Sequence, residues 1–239
     1  NSCYEKIRTI HNKHKGERCF IVATGPSLTM DDLEKLKGEI SFSMNSICLA
    51  FDDTEWRPTY YGIQFDILYK ELKEHIEKLN VEGIFVADII SNDIDIKDNF
   101  YIYPLNLLNH QRRHKKYNSK FSADAFAEVY DGYSITYSLI QIAVYMGFKE
   151  IYLLGVDNNY STNMHHHFKD YGFVDPKYLQ AGNKMFSAYK EAKKYADKHN
   201  IKIYNATRGG MLDLFERVDL DAILYDVENN KEGLKKRTV

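Results

Sequence analysis

Cysteine is scarce in this chain: Cys3, Cys19 and Cys48 are its three in 239 residues. None belongs to a CxxC pair, which argues against a zinc knuckle, and an odd, unpatterned set reads as reduced thiols in a reducing compartment. Long apolar runs are missing as well, so no segment reads as a membrane span. The opening NSCYEKIRTIHNKHKG is charged and holds no signal-peptide core. These absences together predict a cytoplasmic protein. The opening residue is not Met, which leaves room for a flanking domain and for an indirect place at the inner face of the cell membrane. Charge of one sign is lacking: the net charge is −2, so no basic field draws the surface to nucleic acid. Neither G-x-G-x-x-G nor a Walker loop ending in Lys-Ser/Thr occurs, which disfavours a dehydrogenase and a P-loop enzyme. No Asp-x-Asp follows a strand; Asp52-Asp53 reads as a turn before Trp56. Neither a metal nor a cofactor is therefore expected.

What is present is a large apolar fraction, 44%, enough for one sizeable α/β core. Nineteen tyrosines and thirteen phenylalanines stand out. Tyrosine lines polar-ligand clefts well because its ring packs while its hydroxyl bonds, although an AT-rich coding bias gives the same excess. Residues 4–14 read as a short helix. Apolar runs at 18–23, 40–44, 59–63, 84–87, 100–103, 151–154 and 201–204 read as strands. Helices are expected at 30–37, 66–79, 133–147 and 176–199, with a short one near the end. Strand–helix alternation predicts a Rossmann-like, GT-A-like, mostly parallel sheet with helices on both faces. Residues 1–227 read as a single domain and 228–239 as a charged tail. Segments 105–131 and 158–175 have no clear period and read as a small lid region.

In open α/β sheets ligands bind beyond the carboxyl ends of the strands. The residues there are small and polar: Thr24-Gly25-Pro26-Ser27, Asn45-Ser46, Gln64, Asp157-Asn158 with Tyr160, and Asn205 to Gly210. Gly25 between strand and helix permits a tight turn with amides at a helix start, which suits a phosphate; an ordinary strand–helix turn looks the same. Gly132-Tyr133-Ser134-Ile135-Thr136 opens the strongest helix, where Ser134 and Thr136 either cap amides or share them with a phosphate. His165-His166-His167 offers a general base rather than three ligands to one metal. Arg208 is a candidate clamp for phosphate or carboxylate, or a surface ion pair. The basic run from His110 to Lys116 is either a phosphate-gripping lid or a solvated loop.

The segments ATGPSL (23–28), MNSI (44–47), GYSITYSLIQIAVYMGFKEIYLLGVD (132–157) and IYNATRGG (203–210) together resemble the 6-hydroxymethylpterin pyrophosphokinase-like domain. That domain also forms the core of the motility accessory factors and is similar to the family 42 bacterial sialyltransferases. The resemblance covers most of 17–222. It implies a GT-A-like core and, on the sialyltransferase branch, metal-independent, inverting transfer from a CMP-linked nonulosonic acid. By position, Gly25, Ser27, Asn45, Ser134 and Thr136 would meet the nucleotide and Asp157 would organise the site. Three places depart from the sialyltransferase pattern: Thr24 stands where that family has Asn, Asn183 stands where it has its catalytic His, and Tyr160 lies near, but not on, the position of its phosphate-holding tyrosine.

The expected function is therefore a sialyltransferase-like glycosyltransferase acting on a glycan or glycoprotein acceptor. His167 would be the base, Tyr160 and Arg208 would steady leaving phosphate charge, and Asp157 would organise the site. The nucleotide would lie against Thr24, Gly25, Pro26, Ser27, Asn45, Ser46, Gln64, Gly132, Ser134, Thr136 and Asn158. The expected partners are the nucleotide-sugar donor, the acceptor and, as an open option, a second copy of the chain. A magnesium-dependent hydroxymethylpterin diphosphokinase and a non-catalytic nucleotide-sugar binding module are the alternatives.

Overall fold

The computed structural model describes residues 3–108, 118–159 and 181–225. Its centre is a parallel sheet of eight strands. Five are laid down stepwise: β1 (Arg18–Val22), β2 (Ser41–Met44), β3 (Tyr60–Ile63), β4 (Gly83–Ala87) and β5 (Phe100–Tyr103). The chain then makes a separate two-stranded parallel ladder from β6 (Leu105–Asn106) and β7 (Val129–Tyr130). It returns to the other side of β1 with β8 (Glu150–Leu154), β9 (Lys202–Asn205) and β10 (Glu216–Arg217), giving the order β10-β9-β8-β1-β2-β3-β4-β5. Every neighbouring pair is parallel. Sequence periodicity anticipated all of these strands except the three shortest, β6, β7 and β10.

Both faces of the sheet are covered, and the strand residues alternate accordingly. Cys19 and Ile21, Phe42 and Met44, and Ile151 and Leu153 join one core with α3 (Ile135–Tyr145), α4 (Ala181–Lys198) and the 3-10 helix Glu5–Ile10. Phe20 and Val22, Ile84 and Val86, and Tyr152 and Leu154 join the other core with α1 (Met30–Lys35) and α2 (Asp66–Ile76). The start of the chain, expected as a helix over 4–14, is this short 3-10 turn. The helix expected over 176–199 is described from Ala181 onward.

Helix α3 is buried at every residue but Val144. Such a helix cannot leave its polar side chains unpaired, and its Gln141 shows how they are used. The amide of Gln141 donates to Tyr130 O (2.8 Å), while its oxygen accepts from the backbone N–H groups of Tyr130 and Ser122 (both 3.0 Å). One buried carboxamide thus holds residues 122–130 against the helix. This is the organisation of residues 122–130 that periodicity does not reveal: their order comes from tertiary bonds, not from an apolar repeat. Helix α1 has a capping box, with Thr29 Oγ1 accepting from Asp32 N and Asp32 Oδ2 accepting from Thr29 N.

Candidate active site at the strand-order reversal

The strand order reverses at β1, which has β8 on one side and β2 on the other. A sheet opens a crevice at the carboxyl ends of such strands. The turn after β1 carries Thr24-Gly25-Pro26-Ser27, and the turn after β8 carries Gly155 to Asn158. Asp157 joins them: its Oδ2 accepts from the Ser27 hydroxyl (2.8 Å) and the Ser27 N–H (3.3 Å). The Gly25 N–H donates to Gly155 O at 2.9 Å. A side chain at position 25 has no room, because a Cβ there would lie 2.1 Å from Asp157 Oδ2 and 2.3 Å from Gly155 O. Burial raises the Asp157 pKa, and the two bonds from Ser27 offset that only in part. The carboxylate at the reversal point is thus half-buried and fixed by the Gly-Pro-Ser turn.

Asn45 and Asn158 flank this turn, one directly after β2 and one in the loop after β8. Both have left-handed backbones, with φ of 51° and 49°. The side-chain oxygen of each is buried and, among the described residues, accepts no hydrogen bond. The Asn45 backbone is firmly placed, since its carbonyl accepts from the Tyr61 hydroxyl at 2.6 Å. A buried carbonyl without a donor costs about 1–3 kcal/mol, and such groups in native folds call for an explanation. Two of them stand on either side of one turn, each an acceptor with its capacity unused among the described residues. Ser46 is buried in the 3-10 turn Asn45–Ala50, and Thr24 is buried beside Gly25.

Several sequence-selected residues do other work. Gln64 is fully buried. Its amide donates to Asp131 Oδ1 (3.0 Å) and its oxygen accepts from the Tyr103 and Ser138 hydroxyls (3.1 and 2.9 Å). It is thus an internal hub rather than a nucleotide contact. The Thr136 hydroxyl turns inward to Met44 Sδ at 3.3 Å. Ser134 is the cap of α3, accepting from Thr136 N at 3.2 Å. Gly132 is required by packing: φ is +53°, and a Cβ would lie 2.1 Å from the Tyr137 ring.

Arg208, expected as a phosphate clamp, is committed to the buried carboxylate of Asp32 through both terminal nitrogens, one at 2.7 Å. It also donates to Ser27 O and Thr29 Oγ1, both at 3.3 Å. Burial pushes the Asp32 carboxyl up, but the bonds from Arg208 and Thr29 outweigh it and the net pKa is lowered. The ion pair therefore fixes the loop after β9 against the start of α1, and the surface-ion-pair reading of Arg208 is the one its partners fit. Arg217 fastens the same loop by donating to the carbonyls of Thr207 (3.1 Å), Gly209 (2.6 Å) and Gly210 (3.2 Å). Met211 N completes the join by donating to Asp157 O at 2.7 Å.

Asp131 is the residue that sequence reasoning passed over. It is buried at the end of β7, takes the Gln64 amide on Oδ1, and takes the Tyr133 N–H on Oδ2 at 3.2 Å. Its signal was an acidic residue directly before Gly132-Tyr133 at a strand end. His167, Tyr160 and the run 110–116 lie outside the described residues. Among the described residues no group of three His, Cys, Asp or Glu side chains could hold a metal ion. No helix among them is long and apolar enough to cross a membrane.

Comparison with solved structures gives the same architecture. The MAf glycosyltransferase from Magnetospirillum magneticum AMB-1 superposes with a TM-score of 0.56 at 15% identity over 92% of this chain, which spans 38% of the length of that protein. The sialyltransferase CstII from Campylobacter jejuni, solved with the substrate analogue CMP-3FNeuAc, superposes with a TM-score of 0.51 at 17% identity. That match covers 84% of this chain and 86% of CstII. At these identities the likeness is one of fold. No curated protein sequence matches the chain significantly. A family model does match, over residues 1–163, which take in β1 to β8, the Gly-Pro-Ser turn and Asp157: the chain belongs to the 6-hydroxymethylpterin diphosphokinase MptE-like family.

Proposed function

We propose that the protein is a sialyltransferase-like glycosyltransferase that uses a CMP-linked nonulosonic acid as donor and a glycan or glycoprotein hydroxyl as acceptor. The observation that carries this reading is the pair of unpartnered carboxamide oxygens, Asn45 and Asn158, on either side of the Gly25–Ser27 turn. Neutral carbonyl acceptors bind the amine and hydroxyl groups of a nucleoside, and they keep extra negative charge away from its phosphate. The fold shared with two glycosyltransferases supports the same reading.

In this reaction the acceptor oxygen attacks the anomeric carbon, the bond from that carbon to the CMP phosphate oxygen breaks, and CMP leaves with the electron pair. His167 takes the acceptor proton, and Tyr160 donates a hydrogen bond to the departing phosphate. Asp157 sets the distance between the β1 and β8 turns. Arg208 acts at one remove, by holding the β9 loop in place.

A second reading rests on the family match itself: ATP-dependent diphosphate transfer to a hydroxymethylpterin. That chemistry requires magnesium, and Asp157 is the carboxylate on the crevice to hold it. A thermal-shift screen against CMP, CDP, UDP, GDP and ATP, with and without magnesium, separates the two. A ligand at a hundred times its Kd stabilises the native state by about 2.7 kcal/mol. Stabilisation by CMP without metal is the expected result. Stabilisation by ATP only with magnesium would replace the first reading with the second, and a response to none of them would end both. If the His167→Ala protein keeps full transfer activity, the base is another residue.

A further inference from the structure

The chain leaves β2 through Asn45, whose backbone is left-handed, with φ of 51°. Asparagine is among the few residues with a Cβ that enter this region readily, and here both peptide groups that flank it are anchored. Before Asn45, β2 is paired with β3, with Met44 opposite Gly62. After it, the Asn45 carbonyl accepts the Tyr61 hydroxyl at 2.6 Å, and the Cys48 thiol donates to the same oxygen at 3.5 Å. With the backbone held on both sides, the direction of the Asn45 Cα–Cβ bond is set. Only the side-chain torsions remain to aim the carboxamide, whose oxygen accepts no hydrogen bond among the described residues.

Tyr61 reaches this carbonyl from β3, where it stands opposite Ser43, two residues before Asn45. Its ring is fully buried in the same core as Ile47 and Cys48 of the 3-10 turn. A close-packed ring of this kind delivers its hydroxyl to one place. Phenylalanine would fill the same core space. What tyrosine adds is the bond to Asn45, at the carboxyl end of β2.

We infer that Tyr61 is a positioning residue for ligand binding: by holding the Asn45 carbonyl, it fixes the direction in which Asn45 presents its carboxamide to an amine or hydroxyl of the bound nucleotide. The inference rests on the nucleotide-site reading above and deepens it. Tyr61 is buried and acts through Asn45. An acceptor that is already in place does not have to be ordered when the ligand arrives, and affinity gains by that difference.

A double-mutant cycle on Kd tests this. CMP without metal and ATP with magnesium are titrated into the wild-type chain, and the tighter binder is the probe for the variants. Tyr61→Phe keeps the ring and removes the hydroxyl; it is expected to weaken the probe by about three- to tenfold, the effect of one neutral hydrogen bond. Asn45→Gly removes the carboxamide and suits the left-handed backbone; it too is expected to weaken the probe. The double variant is expected to bind no more weakly than Asn45→Gly alone, because Tyr61 then has nothing left to position. Equal weakening by Tyr61→Phe in both backgrounds overturns the inference in favour of a general structural role, as does a Tyr61→Phe chain that loses its fold. Wild-type affinity in Tyr61→Phe overturns it and leaves the site reading standing. Wild-type affinity in Asn45→Gly overturns it by taking Asn45 out of the site. A wild-type chain that binds neither probe overturns the site reading and the inference together.

Discussion

At residue scale, the site depends on a few atoms with little room to move. Gly25→Ala would place a methyl group against Gly155 O as well as Asp157. The carbonyl is backbone and cannot swing away, so a cost of about 3 kcal/mol or more is expected. Chemical denaturation measures it, and adding Asp157→Ala should not restore the loss. Asp157 carries the opposite expectation. Its raised pKa means that the native state holds the proton more tightly than the unfolded chain. The stability it lends is therefore full below the ordinary aspartate pKa and is lost as pH rises through the native value. Asn keeps the oxygen that accepts from Ser27 and carries no charge. Asp157→Asn should match or exceed the wild-type Tm at neutral pH, with the gap closing near pH 4. A Tm series across pH checks this, and a less stable Asn variant at pH 7 would refute it.

At the scale of elements, two locks position the crevice walls. The first joins the β9 loop to the start of α1 through Arg208 and Asp32. Because the guanidinium is half exposed and solvent screens it, Arg208→Ala should cost about 1–2 kcal/mol rather than the full value of a buried pair. The Asp32 pKa is lowered, so this stability is present above the ordinary aspartate range and disappears as pH falls through the native value. Urea melts at pH 7 and pH 3 should show variant and wild type converging in acid. The second lock is the Gln64 hub under the Asp131 turn. Gln64→Glu sets a carboxylate against Asp131 and should destabilise the protein at neutral pH, with partial recovery on acidification, read by the same melts.

These locks also show where sequence reading ended. The Gly-Pro-Ser turn, the Asn after β2 and the Asp after β8 were legible because each follows an apolar run that can only be a buried strand. Helix α3 was legible because its apolar surface is continuous. The roles of Gln64, Thr136 and Arg208 were not, since a polar residue at a strand end looks the same whether it faces ligand or protein. Their partners lie 67, 92 and 176 residues away in the chain, and no local pattern carries that information. Residues 122–130 were opaque for a related reason, their order coming from Gln141.

At the scale of the whole molecule, the eight-stranded sheet is made of two runs of chain that meet at β1 and β8. The bonds that close the crevice join Ser27 to Asp157, 130 residues apart, and Asp32 to Arg208, 176 apart. Contacts of such long range form late and slow folding. A molecule seated across that seam would act as a rivet between the early and late halves of the polypeptide. Slowed amide exchange should then spread on binding into β2 on one side and β9 on the other, rather than staying with the turns that the ligand touches.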